Sequence, residues 1–449
     1  MNVTDRFVEN LVEFSKREFT SEEVLHAKKC ILDYLGVTLA GAKAYHDVEK
    51  KLLVTGIAAG GNSTVIGHKQ RVSAPIAALV NGISAHAVEL DDGQRFGNVH
   101  PGAPIISALL AVAEVDDLTI GDLVRGVLVG YECAIRLASS IQPSHKLKGF
   151  HATGPCGTIG GAMAIAAMCG FSLEQFKSAL AAACTSASGI LEMIEGDTQM
   201  MPYNAGKAAS NAVVASMIGL SGFKYPKDAL GGERGFLHCF SSDTNLSILT
   251  VFSGEPYFST NYFKLYAACG HCHSSIEAAL KLKEKRLFTI EDIQRIEIQT
   301  YRLAIHGHDH NVIDGVNSAR MSIPYSTAVA LMHGSADIDV FDCPSIQDDR
   351  LLSLTRKITV RENEEYTKLA PARRIATVTV YTHTGVYHET VTWPKGQPEN
   401  PLSLNDIERK YLKYSSWAGL SFQSINRMSE IILNQDDMIS VRELLVCIH

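Results

Sequence analysis

Residues 85–102, AHAVELDDGQRFGNVHPG, decide how the rest of the chain is read. Long apolar flanks give way here to Glu89, Asp91, Asp92 and Arg95, bracketed by His86 and His100. A helix of small apolar residues runs in over 75–90, with Pro75 suited to its first turn. Gly93, Gly97 and the Pro101-Gly102 pair then force a loop, and a second apolar helix runs out over 105–115. Loops that carry carboxylates and a histidine between two buried helices are where rigid scaffolds present chemistry. The competing reading is a solvated turn, with an aspartate closing a helix and His100 lining the core. Partners elsewhere in the chain decide between the two.

The totals narrow the field. A chain of 449 residues exceeds the ~250–300 at which single cores stop growing, which makes two domains the default. Hydrophobic residues at 46% and charged ones at 20% describe an ordinary globular chain. A formal net charge of −7 argues against nucleic acid or an anionic membrane as partner, so an anionic ligand must be drawn by a local basic site. No secretory signal pattern opens the chain, and no apolar run reaches the ~18 residues of a membrane span. Ten cysteines without framework spacing read as the reduced thiols of a cytoplasmic protein.

From the acidic loop outward, the first half reads as helix. Val8, Leu11, Val12 and Phe14 form one stripe, and Val24, Ala27, Ile31, Leu32 and Leu35 the next. Thr20 with Glu23, Thr119 with Asp122, Ser172 with Gln175 and Ser403 with Asp406 are capping-box starts. Residues 63–68 form a short extended piece. After Gly254 the texture changes: 293–301, 357–360, 375–381 and 386–393 alternate as half-buried strands, the last two as a hairpin. Helices at 274–285 and after Pro324 interleave with them. The expected fold is mainly α with an inserted α+β domain: 1–254 with 398–449 as the helical domain, and 255–397 as a lid.

Three further clusters invite chemistry. Cys269-x-x-Cys272, with His271 and His273, resembles half of a zinc site, but no second ligand pair completes it. His306-Gly-His-Asp-His310 reads as a solvated loop before it reads as a chelate. The glycines of 149–161 lack both the phosphate-loop lysine and the dinucleotide spacing, so helix packing accounts for most of them; His151 within them is either a catalytic candidate or a core histidine. Lys207 opens an apolar helix, where partial desolvation would lower its pKa.

In order along the chain, AHAVELDDGQRFGNVHPGAP, GFHATGPCGTIGGAMAIAA, YNAGKAASNAV, FKLYAACGHCH and ARMSIPYSTAVALMHG resemble the MmgE/PrpD family. That family contains 2-methylcitrate dehydratase, cis-aconitate decarboxylase and iminodisuccinate epimerase, and the similarity runs to KGQPENPLS at 395–403. The resemblance implies a large all-helical domain with an α+β lid, a homodimer, a small di- or tricarboxylate substrate, and catalysis with neither metal nor cofactor. It implies His100 as the acid/base, the Asp91-Asp92 pair beside it, Lys264 holding a carboxylate, and His151 as a further catalytic residue. Glu89, Arg95, Lys207, Ser210, His271, His273 and Arg320 are the substrate-binding candidates. Glu89 stands where the decarboxylase has an aspartate, and Gly93 where it has a threonine. Ser210 replaces a basic residue, for which Lys207, one turn earlier on the same face, is the candidate substitute.

These reactions begin alike, with negative charge created beside a carboxylate. Lysines stabilise that charge and a histidine moves the proton. Loss of hydroxide, loss of carbon dioxide or reprotonation on the other face follows. Dehydration of a citrate-like 2-hydroxy acid is the leading expectation. A zinc hydrolase and an inactive ligand-binding member are the readings from other classes.

Overall fold

The computed structural model describes residues 2–54, 60–342, 344–433 and 436–448. It is mainly helical, with a smaller α+β domain. Each of the four capping boxes forms as the sequence requires, at Thr20, Thr119, Ser172 and Ser403. Each satisfies two backbone donors and is typically worth ~1 kcal/mol.

The helices Ser21–Ala44, Ala74–His86, Gly102–Asp116, Ile120–Ile141, Thr153–Met168 and Met200–Leu220 build the larger core. Small residues let them approach backbone to backbone. A Cβ on Gly82 would lie 2.7 Å from the Gly206 Cα, which is how Ala74–His86 and Met200–Leu220 cross so closely. The helix Leu404–Ala418 returns to this bundle and lies on Ser21–Ala44, where Gly36 meets Tyr411. Among the described residues no helix is long and apolar enough to cross a membrane. The 63–68 piece becomes a two-residue strand, Ser63–Thr64, paired antiparallel with Arg71–Val72.

The sheet of the smaller domain has the order Ile358–Glu362, Ile293–Thr300, Ala376–Thr382, Val386–Val391. The first pair is parallel and the other two are antiparallel. Burial alternates along Ala376–Thr382, so one face is covered, by the helices His273–Glu284 and Ile323–His333. The change of core falls later than the expected 254/255 boundary. Phe258 and Phe263 still pack in the larger core, and Ala267 is where the smaller one begins. The acidic loop is shared: Val88 and Leu90 belong to the smaller core, Ala85 and Val99 to the larger.

Candidate active site

The acidic loop leaves the Ala74–His86 helix through Glu89, which holds a left-handed φ of 55°. A side chain in that region costs ~1–2 kcal/mol, and here the strain coincides with a buried ion pair. The Lys264 ammonium donates to Glu89 Oε2 at 2.8 Å and stands 3.7 Å from Asp91 Oδ1. The His86 Nδ1–H donates to Asp91 Oδ2 at 2.7 Å, with His86 Nε2 3.5 Å from Glu89 Oε1. His100 lies on the other side of Asp91, 3.3 Å from the same Oδ2. Its Nδ1–H donates to the Asp92 carbonyl at 2.7 Å, which leaves Nε2 for the cleft.

Charge and burial compete throughout this network. Burial would raise the Glu89 carboxyl, but Lys264 and then His86 outweigh it and hold it at about 2. Burial likewise acts upward on Asp91 and is overcome by His86, His100 and Lys264, which hold it well below the ordinary range. His86 is driven down by burial but held above its ordinary value by Asp91 and Glu89. His100 goes the other way: burial pulls it below the ordinary histidine value, against the pull of Asp91. One histidine shifted towards its charged form, His86, and one shifted towards its neutral form, His100, thus flank one carboxylate. Asp92 does different work. Burial pushes its carboxyl up to about 7, and it accepts from Tyr131, Asn261 and the Gly102 N–H, tying the loop to the bundle.

Glu89, His100 and His151 line a cleft of about 630 Å³, counting its open mouth. His151 stacks near His100, with ring centroids 6.3 Å apart, and burial keeps it neutral. Lys146, His271, His308 and Arg374 line the same cleft, and Phe150, Leu191, Ile194, Met201 and Met321 supply apolar surface. Burial and the Lys146 charge hold His271 well below its ordinary value, and likewise hold His308 at about 4.

Lys264, expected in the catalytic set, and several expected substrate-binding residues lie elsewhere. Lys264 is fully buried behind Glu89, its charge taken by two carboxylates, and it does not line the cleft. Arg95 is held by Glu399 and Gln397 and so clasps the 395–403 stretch. His273 is buried against the Ala268 carbonyl, held neutral at about 3 by burial and Lys264. Arg320 donates to the Ala87 carbonyl. Lys207, lowered by burial to about 8, donates to Ser188 and Asn204, so it does not replace the basic residue missing at Ser210. Neither Lys207 nor Ser210 lines the cleft. Asn204 reaches on to His151 Nδ1 at 3.4 Å, which makes Lys207 a support of that histidine.

Other residues join the site without having been expected there. His308 of the 306–310 cluster is not solvated: it is buried, its Nδ1–H donates to the Met321 carbonyl, and Nε2 lies 3.9 Å from Cys269 Sγ. Lys146 lies in a basic run that reads as surface, and Arg374 at the start of a strand. Tyr262 fills the place left by Gly93, where a Cβ would stand 2.5 Å from the tyrosine oxygen. The nine described cysteines are unpaired, and burial raises the Cys272 thiol well above its ordinary value. Among the described residues, His86, Asp91 and His100 are the group whose donor atoms lie close enough to share an ion. Their carboxylate already accepts from His86 and faces the Lys264 ammonium, which opposes a second cation.

A strained loop with oppositely shifted histidines, opening on a cleft between two cores, is the construction of an enzyme site. The chain belongs to the MmgE/PrpD family, an enzymatic family: the MmgE/PrpD N-terminal domain matches residues 6–249 and the MmgE/PrpD C-terminal domain residues 266–429. It is 25% identical to the cis-aconitate decarboxylase-like protein oryM of Aspergillus oryzae, over 100% of this chain and 97% of that protein. It is 25% identical to a cis-aconitate decarboxylase of Aspergillus terreus, over 96% of this chain and 93% of that one. The cis-aconitate decarboxylase of Homo sapiens is 24% identical, over 97% and 92% of the two chains.

Proposed function

We propose that this protein is a lyase acting on a small di- or tricarboxylate, with dehydration of a citrate-like 2-hydroxy acid as its reaction. The observation that carries the reading is His100, whose Nδ1 is engaged and whose lowered pKa leaves Nε2 as a free base at neutral pH. Nε2 takes the proton from the carbon beside a carboxylate. The electron pair forms the carbon–carbon double bond, and hydroxide leaves from the neighbouring carbon as water, taking the proton back from the His100 imidazolium. His86, shifted towards its charged form, helps to keep Asp91 ionised beside His100, so the imidazolium formed by proton uptake is stabilised where it arises.

Loss of carbon dioxide is the second reading. It is favoured by the decarboxylase names of the relatives and by the apolar side of the cleft, where a leaving carboxylate would shed its hydration. Gly93 and Ser210, which depart from the decarboxylase pattern, weigh against it. One experiment separates the outcomes: a panel of citrate-like, aconitate-like and amino-dicarboxylic acids in deuterated water, followed by proton NMR and carbon dioxide release. Deuterium uptake beside a carboxylate with water loss is expected. His100→Gln should lower the rate ~10²–10⁴-fold with a KM close to that of the unaltered enzyme. No exchange with any acid would leave an inactive binding protein, and near-normal turnover by the variant would remove His100 from the mechanism.

A further inference from the structure

Buried cations in this protein have carboxylate partners, with two exceptions. Among the described residues, eight lysines and arginines are buried, and six of them pair: Lys28 with Asp437, Arg95 with Glu399, Arg136 with Glu132, Lys177 with Asp5, Lys264 with Glu89 and Lys410 with Asp33. Arg320 and Arg374 have no carboxylate in reach, and of these two only Arg374 lines the cleft. Arg374 is 5% exposed, and its Nε–H has no partner. Its Nη2 makes only long contacts, 3.2 Å to Asn98 Oδ1 and 3.3 Å to the Arg95 carbonyl. A further side-chain neighbour, Tyr262, interacts with the guanidinium but is uncharged. An unpaired buried guanidinium is costly unless an anion completes it.

A second cation shares the cleft. Lys146 also lacks a carboxylate partner among the described residues, and its Nζ stands 3.4 Å from His271 Nε2. The other nitrogen of that ring, Nδ1, is 2.6 Å from the Tyr301 hydroxyl. A neutral His271 that donates from Nδ1 to Tyr301 accepts one Lys146 proton at Nε2, so the other two ammonium N–H groups are free for a ligand. Burial pulls the Lys146 pKa down, as expected for a cation waiting for its counterion. The two cations come from different parts of the fold. Lys146 lies in the short helix Ser144–Leu147 of the helical scaffold, and Arg374 enters the Ala376–Thr382 strand of the α+β domain.

We propose that Lys146 and Arg374, with His271 orienting the lysine, form a carboxylate subsite that holds a second acid group of the ligand, remote from the carbon facing His100, and pins the two domains together. The proposal rests on the carboxylate reading of the cleft. It makes ligand valence the basis of selectivity: a monocarboxylate engages one set of groups only, whereas a di- or tricarboxylate engages both.

The test is binding without turnover. Calorimetric titration with tricarballylate, which has three carboxylates and no hydroxyl to lose, is compared with glutarate and butyrate. Tricarballylate should bind at least tenfold more tightly than butyrate and raise the melting temperature. Lys146→Gln and Arg374→Gln should each weaken it about 10–100-fold, the range of a charge-assisted contact. Arg374→Lys should fall between, and His100→Gln should stay within a few-fold of the unaltered protein. Unchanged affinity in a folded Lys146→Gln variant would overturn the proposal, as would equal affinity for tricarballylate and butyrate, or no binding of any probe. If Arg374→Gln fails to fold, the lysine variant and the valence comparison still decide. Tight tricarballylate binding without turnover of any acid would defeat the lyase reading and leave the subsite standing.

Discussion

Lys264→Met removes one positive charge and leaves two carboxylates, Glu89 and Asp91, buried without it. Breaking a buried pair in this way typically costs ~3–5 kcal/mol. For a chain of 449 residues, an unfolding entropy of ~2.1 cal/mol/K per residue converts that cost to about 3–5 °C of melting temperature. The pH dependence identifies the cause. In the native protein the Glu89 carboxyl is lowered to about 2, so its contribution is present above its unfolded value and is lost as pH falls towards 2. Without Lys264, burial dominates and the carboxyl rises, so stability is lost as pH increases instead. The difference in melting temperature between the two proteins should therefore be largest near pH 7–8 and shrink towards pH 4. Adding Glu89→Gln to Lys264→Met removes the stranded charge and should restore at least half of the loss. Melting curves from pH 4 to 8 on the three proteins check this. Equal stability of Lys264→Met and the unaltered protein, or a double variant no better than the single, would refute the reasoning.

The acid limb of the kcat/KM profile should lie below the ordinary histidine value of ~6.5, because burial depresses His100 and its neutral form is the base; a limb above that value assigns the base elsewhere. Acid unfolding should gain a component between about pH 4.5 and 2, as Glu89 and Asp91 take up protons, and Glu89→Gln should remove part of it. Gly93→Ala should cost ~1–3 kcal/mol in urea unfolding, since its methyl would press on Tyr262; no cost would mean that the tyrosine does not wall this position. Protein purified without added metal should carry far less than one zinc or iron per chain, because the Cys272 thiol is held protonated; stoichiometric metal lost on Cys272→Ser would overturn this.

What could be read in advance was local. A capping box spans four residues, so Thr20, Thr119, Ser172 and Ser403 declare their helices without help from the rest of the chain. Strand alternation is equally local, as Ala376–Thr382 shows. The acidic loop was visible because charge is conspicuous between apolar helices. The meaning of a charge was not visible, since it depends on a partner far away. Lys264 reads as a ligand-holding lysine until its carboxylate, 175 residues distant, is placed against it. Lys146 reads as surface because Lys148 and Ser144 surround it in sequence, whereas the fold turns it towards His271. His308 is polar on both sides in sequence and buried in space. Phe258 and Phe263 are apolar without periodicity, so nothing local says which core they join.

The loop that Val88 and Leu90 anchor in one core and Val99 in the other bears on protein engineering. A chimera that exchanges only the 266–391 stretch with a relative would set a foreign core against this chain's Val88 and Leu90. It would also replace the residues that follow Lys264 while keeping Lys264, Glu89 and Asp91, so the native ion pair would sit directly against a foreign segment. A transplant that keeps the loop and its ion pair together therefore needs at least two pieces, the 86–100 loop and the 261–400 segment, moved as one. Libraries cut at the apparent boundaries alone should give folded halves with a broken loop between them, whereas libraries that carry both pieces keep the site whole.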